Sequence, residues 1–142
     1  MEDKSRAVFN MFNLLRKLDY LNNERLKANG LNNLETLVLL NLYCKEDVTQ
    51  KDLVAKFKAP KQTINSIVNK LLEKDLVETK PDPIDKRSKI LFLTTEGKNK
   101  VDTIKKPLAE SNREIYDELG KERIDQITYA ISDLIDCLEK NK

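Results

Sequence analysis

Four apolar residues, Ile64, Ile67, Val68 and Leu71, recur at the i, i+3, i+4, i+7 spacing of a single helix face. At about 100° of turn per residue, the opposite face carries Gln62, Asn65, Ser66 and Asn69, flanked by Lys61, Thr63 and Lys70. The segment from about Pro60 to Lys74 is therefore an amphipathic helix whose wet side holds amides, hydroxyls and lysines, with no carboxylate until Glu73. Its surroundings narrow the fold further. Upstream, Thr49 followed by Asp52 is a capping signature that opens a short helix with Leu53, Val54 and Phe57 facing inward. Lys58-Ala59-Pro60 forms the turn between the two helices, because proline fits a helix start and resists continuing the helix before it. Downstream, Leu76–Lys80 and Ile90–Thr94 are strand-like runs separated by a charged loop in which Pro81 and Pro83 exclude helix.

Two short helices joined by a tight turn, followed by a two-stranded hairpin, make a helix-turn-helix with a wing. Asn and Gln pair donor and acceptor groups in the arrangement that matches adenine N6 and N7. The plain alternative is a merely solvated face, but such faces usually carry Glu and Lys. Arg87, near the tip of the wing with Lys86 and Lys89, suits a narrow A·T-rich minor groove, whose negative potential attracts cations. Asp85 is placed to orient that guanidinium through a bidentate pair. Net charge is only +2, but residues 48–100 hold 12 Lys/Arg against 7 Asp/Glu, whereas residues 101–142 hold 7 against 10. The basic excess sits on the central segment, as an electrostatic footprint for nucleic acid requires.

Other chemistry finds no support. Histidine is absent, the two cysteines, Cys44 and Cys137, are far apart, and three glycines could hardly build a phosphate loop. Zinc sites, His-based triads and Cys–His pairs are excluded together, so neither an enzyme nor a cofactor is expected. No apolar run approaches membrane-spanning length, and the first fifteen residues mix both charge signs without an apolar leader core. A cytoplasmic protein without membrane partners is expected. Cys44 continues an apolar run and reads as a small core residue; Cys137 lies off the apolar seam and has no role.

The flanks are helical. A first helix runs roughly from Asp3 to Ala28, with Val8, Met11, Phe12 and Leu15 on its stripe and Asn29-Gly30 closing it. A second, buried helix begins at Asn32 or Asn33, with Glu35 completing a capping box. Thr94 caps the next helix, which Pro107 should kink or split near Lys106. Ile124, Ile127, Ile131, Leu134 and Leu138 form the seam of the last helix. These seams span about two heptads, too few for a free coiled coil. They suit either an intramolecular helix pack or, as the length of the terminal helices favours, a homodimer base. The expected architecture is thus mainly α with a small β-hairpin wing. A winged helix-turn-helix lobe occupies residues 31–99, and residues 1–30 and 100–142 form the helical dimerisation region.

The chain resembles MarR-type winged helix-turn-helix transcriptional regulators over essentially its full length. The resemblance is carried by Thr49-Gln50-Lys51-Asp52-Leu53-Val54 and by Leu72-Glu73-Lys74-Asp75-Leu76-Val77. It continues in Asp82-Pro83-Ile84-Asp85-Lys86-Arg87 and Leu93-Thr94-Thr95-Glu96-Gly97. Where the family usually has glycine this chain has Asp75, a residue that tolerates a left-handed backbone better than most. The resemblance implies a homodimer on a pseudo-palindromic operator of double-stranded DNA, acting as a repressor. Gln62, Asn65, Ser66 and Asn69 would face bases, and Thr49, Gln50, Lys61, Thr63 and Lys70 would hold phosphates. Arg87 would enter the minor groove with Asp85 in support. It also implies a small anionic or aromatic effector. The peroxide-sensing branch uses a cysteine near the start of the first helix, where this chain has none. The alternative from another class is a winged-helix module for protein–protein contact without DNA binding.

Overall fold

A computed structural model describes residues 1–27 and 30–142. The chain divides into two compact units, Met1–Ile104 and Lys105–Lys142. The first contains α1 (Asp3–Leu26), α2 (Asn33–Cys44), β1 (Val48–Thr49), α3 (Gln50–Phe57), α4 (Lys61–Glu73), β2 (Val77–Pro81) and β3 (Lys89–Leu93). The unit boundary falls within α5 (Thr95–Leu119), and the second unit also holds α6 (Lys121–Lys140). This is the expected mainly helical fold with a small antiparallel sheet.

The sheet has the order β1-β3-β2, so the apolar strand β3 is central. Val77 lies opposite Leu93 and Thr79 opposite Leu91, while Val48 of β1 pairs with Leu91 from the other side. Ile90, Leu91 and Leu93 are buried accordingly. Strand β1 has only two residues, too few to show a period-2 pattern in sequence. Behind the sheet, Val38 and Leu39 of α2, Leu53 of α3 and Ile64 and Leu71 of α4 are fully buried and form one core. Val54 and Phe57 are half-buried against it.

The helix starts follow their caps. Asn32 Oδ1 accepts the Glu35 N–H at 2.8 Å, and the reciprocal contact comes from Asn32 Nδ2, which donates to Glu35 Oε1 at 3.1 Å. Glu35 is buried, and Lys74 Nζ at the end of α4 stands 3.6 Å from its other oxygen. Pro60 is the N-cap residue of α4, one position outside the helix it was expected to open. Its extended backbone forces the chain to turn after Lys58, which takes a left-handed conformation at φ 50°.

The end of α4 is a Schellman motif. Leu76 N–H donates to Leu71 O and Asp75 N–H to Leu72 O, both at 3.0 Å, with Asp75 left-handed at φ 58°. The turn that follows α4 is then clasped to the start of α5. Thr94 Oγ1 donates to Asp75 O at 2.6 Å and accepts the Gly97 N–H at 2.9 Å, and Thr94 N–H donates to Leu76 O. Gly97 is buried so closely against this turn that a Cβ there would lie 2.0 Å from Leu76 O.

Four further sequence expectations change or narrow. Helix α1 ends at Leu26 with Lys27 extended, and although Gly30 has φ 82°, it does not follow the last turn; Ala28 and Asn29 lie outside the described residues. Cys44 is exposed, because it ends α2 beyond the stripe that meets the core. Of the two outcomes expected at Pro107, a kink or a split, the split does not occur: α5 runs unbroken from Thr95 to Leu119. A proline removes one ladder hydrogen bond, and at this exposed position the turns on either side hold the helix. Finally, β2 and β3 are shifted by one residue relative to the expected runs, and Leu76 belongs to the turn.

Because the Leu76 carbonyl is backbone and cannot yield as a side-chain tip would, Gly97→Ala should destabilise by about 3 kcal/mol, the upper range for overpacking. Asp75→Gly should stabilise by about 0.5–1 kcal/mol, part of the cost of a left-handed L-residue. Urea unfolding with an unchanged slope would check both.

Candidate nucleic-acid interface

The interface begins at the N-terminus of α3. Thr49 N–H donates to Asp52 Oδ2 at 2.9 Å, and Asp52 N–H donates to Thr49 Oγ1 at 3.2 Å, a complete capping box. The hydrogen bond from the Thr49 backbone, aided by that from its side chain and by Lys45 and Lys51, holds the Asp52 carboxyl below its usual value. The cap leaves Gln50 in the first turn, where Nε2 donates to Asn65 Oδ1 at 3.2 Å. This bond ties the two helices and fixes the Asn65 amide plane. The second lone pair of its oxygen stays open to a ligand.

Helix α4 presents its candidate residues on two flanks. Lys61, Asn65 and Asn69 line a cavity of about 560 Å³ between the helix pair and the wing, opposite Thr79, Arg87, Ser88 and Lys89. Its floor is apolar, with Val54, Val68, Leu72 and Leu91, and among its lining residues there is no carboxylate. Gln62, Thr63, Ser66 and Lys70 instead line a shallow depression with Asn32 and Asn33 at the start of α2. All the candidates on α4 are exposed, and Thr49 and Gln50 are half-buried.

The loop between β2 and β3 is closed on itself. Asp82 N–H donates to Ser88 O at 3.1 Å and Ser88 N–H to Asp85 O at 3.0 Å. Asp85 Oδ1 accepts the Arg87 backbone N–H at 3.0 Å. Its support of Arg87 thus runs through the main chain and not through the bidentate pair expected from sequence. The side chains of Lys86, Arg87 and Lys89 are exposed.

Three polar cavity-lining residues, Lys51, Thr79 and Ser88, escaped the sequence assignment. Thr79 was legible in principle, since it alternates with Glu78 and Lys80 on β2. Lys51 gave no such signal, because its place depends on how α3 crosses α4. The residues expected at a dimer contact lie on α1 and α6. Val8, Phe12, Ile127, Ile131 and Leu138 are exposed, while Met11, Leu15, Ile124 and Leu134 are half-buried. Among the described residues no helix is long and apolar enough to cross a membrane.

A helix pair whose second member is flanked by a basic wing defines a winged helix-turn-helix, the class of this lobe. Residues 29–88, which hold the helix pair, β2 and the wing loop as far as Ser88, match a family model described as the MarR family. Solved structures extend the likeness to the whole fold. A MarR transcriptional regulator from Methanosarcina mazei Go1 is 21% identical, covering 97% of this chain and 99% of its own, with a TM-score of 0.71. The MepR–DNA complex of S. aureus is 21% identical over 87% of this chain and 95% of its own, at 0.78. The PcaV transcriptional regulator of Streptomyces coelicolor, in complex with its natural ligand, is 21% identical over 87% and 89%, at 0.74. Among curated proteins none matches the chain. The fold is that of MarR-type regulators.

The depressed Asp52 carboxyl makes the start of α3 pH-sensitive. Its contribution to stability is present above the unfolded carboxyl value, about 3.9, and is lost as pH falls through the lower folded value. The stability difference between wild type and Asp52→Asn should therefore be largest near neutrality and narrow in acid, as thermal melts at a series of pH values would show. Thr49→Ala should cost about 1 kcal/mol at neutral pH.

Proposed function

We propose that this chain is a sequence-specific, DNA-binding transcriptional regulator of the MarR type, acting in the cytoplasm as a homodimer and repressing by occlusion of a promoter. The observation that carries the reading is the carboxylate-free surface on which the α4 amides and Arg87 of the wing face one another, with Lys51, Lys61 and Lys89 beside them. Such a surface offers cations to phosphates and paired donors and acceptors to base edges. The similar fold of S. aureus MepR occurs in a complex with DNA, which supports the same use here.

In this mechanism α4 enters the major groove. Asn65 and Asn69 read bases on the wing side, and Gln62 and Ser66 on the other. Thr49, Gln50, Lys51, Lys61, Thr63 and Lys70 hold phosphates, and Arg87 reaches the minor groove, with Lys86 and Lys89 on the flanking backbone. Helix α1 and residues 100–142 form the dimer base, since Val8 and Phe12 on α1 and Ile127, Ile131 and Leu138 on α6 are uncovered. Two recognition helices roughly 34 Å apart would then meet two half-sites of an inverted repeat. A small anionic or aromatic effector would change that spacing and release the operator; PcaV, with its natural ligand bound, supports an effector of some kind.

Selection from random duplexes at moderate salt should enrich an inverted repeat with half-site centres about 10 base pairs apart. Asn65→Ala should relax preference at one position per half-site, costing about 1–3 kcal/mol on the selected duplex. Arg87→Ala should weaken binding most where the flanking minor groove is A·T-rich, and should lower the salt slope by about one. A folded dimer that enriched no sequence and bound DNA without salt dependence would point instead to a protein-contact module.

A further inference from the structure

Ile84, at the tip of the wing, is 94% exposed, more than any other large apolar side chain among the described residues. Single apolar residues on a surface are ordinary, but this one is held outward by the loop that carries it. Asp82 Oδ1 accepts the Ile84 N–H at 2.9 Å, and Asp85 Oδ1 accepts the Arg87 N–H at 3.0 Å. Pro81 and Pro83 restrict the backbone on the entering side. The Asp82–Ser88 and Ser88–Asp85 main-chain bonds close the loop behind it. The surroundings also indicate what it meets. From Asp82 to Lys89 the only other apolar residue is Pro83, and the exposed cations are Lys86, Arg87 and Lys89. Each of the two carboxylates has one oxygen bonded to an amide of the loop itself. A lone isoleucine among cations is poorly matched to an apolar protein surface and well matched to a polyanion with an apolar interior.

We propose that Ile84 is a specificity-determining wedge, entering the minor groove with Arg87 and packing against sugars at a base step that it partly unstacks. Apolar side chains inserted in this way kink the duplex, and pyrimidine–purine steps yield most easily. The wing would then read deformability at positions where Arg87 reads only groove potential. This inference rests on the DNA-binding reading above but on a different residue and a different physical effect.

The test is a selection from random duplexes run in parallel with the wild-type protein and Ile84→Ala at one salt concentration. The wild-type pool should show a pyrimidine–purine step outside each half-site, where the wing falls. The Ile84→Ala pool should keep the half-sites and lose that step. On the wild-type duplex, Ile84→Ala should bind roughly tenfold more weakly, the scale for burying an exposed isoleucine, with an unchanged salt slope because no charge is removed. Replacing the flanking step by AA should weaken the wild type and leave the variant nearly unaffected. A loss under about threefold, or a flank preference that survives the substitution, overturns the wedge while leaving DNA binding intact. If the wild-type protein, folded and dimeric, enriches no duplex, the DNA-binding reading itself fails and the wedge with it.

Discussion

The approach of Gly97 to the Leu76 carbonyl sets the geometry of the first unit. Three elements meet there: the Schellman end of α4, the turn at Leu76 that leads into the wing and the first turn of α5. Thr94 satisfies polar groups on two of them at once, donating to Asp75 O and accepting from Gly97 N–H. Because the joint is made largely of backbone and leaves no room for a Cβ, the angle at which the wing leaves α4 is set by sterics. The position of Arg87 relative to Asn65 depends on that angle, although neither residue takes part in the joint.

From this joint the interface follows as a matter of placement. Strand β3 is held in the centre of the sheet by partners on both sides, so the wing loop emerges from a fixed base. The cap at Thr49 and the Gln50–Asn65 bond tie α3 to α4 at the other wall. A ligand entering between the walls meets side chains whose ordering cost has been met in part by folding. The loop applies the same logic, since Asp85 spends an oxygen on the Arg87 main chain and leaves the guanidinium unpaired for an outside partner.

The departures from sequence expectation share a physical origin. Period and capping report what a segment does locally, and they located α2, α3 and α4 to within a residue or two. They do not report where a segment's end points. Cys44 sits in an apolar run and is nonetheless exposed, because the helix ends before its side chain can turn to the core. Pro107 lies within an apolar repeat and the helix continues through it, a balance between one lost bond and two intact flanking turns that residue type does not reveal. Strand β1 exists only because Leu91 and Ile90 offer it a partner.

What the sequence determined by itself is the set of parts. The spacing of Ile64, Ile67, Val68 and Leu71 made a helix with one apolar face. The Thr49–Asp52 pair started the helix before it, and Pro81 and Pro83 held the following segment out of helix. These are local effects, carried by backbone sterics and by hydrogen bonds between residues close in sequence. The tertiary structure decided which exposed polar residues share a surface. It divided the amides of α4 between two flanks, brought Lys51 and Thr79 to the side of Asn65 and Arg87, and turned the Asp85 carboxylate toward the chain. Those outcomes depend on how α3 crosses α4 and how the wing leaves the Gly97 joint, and both angles are set by packing between residues far apart in the chain.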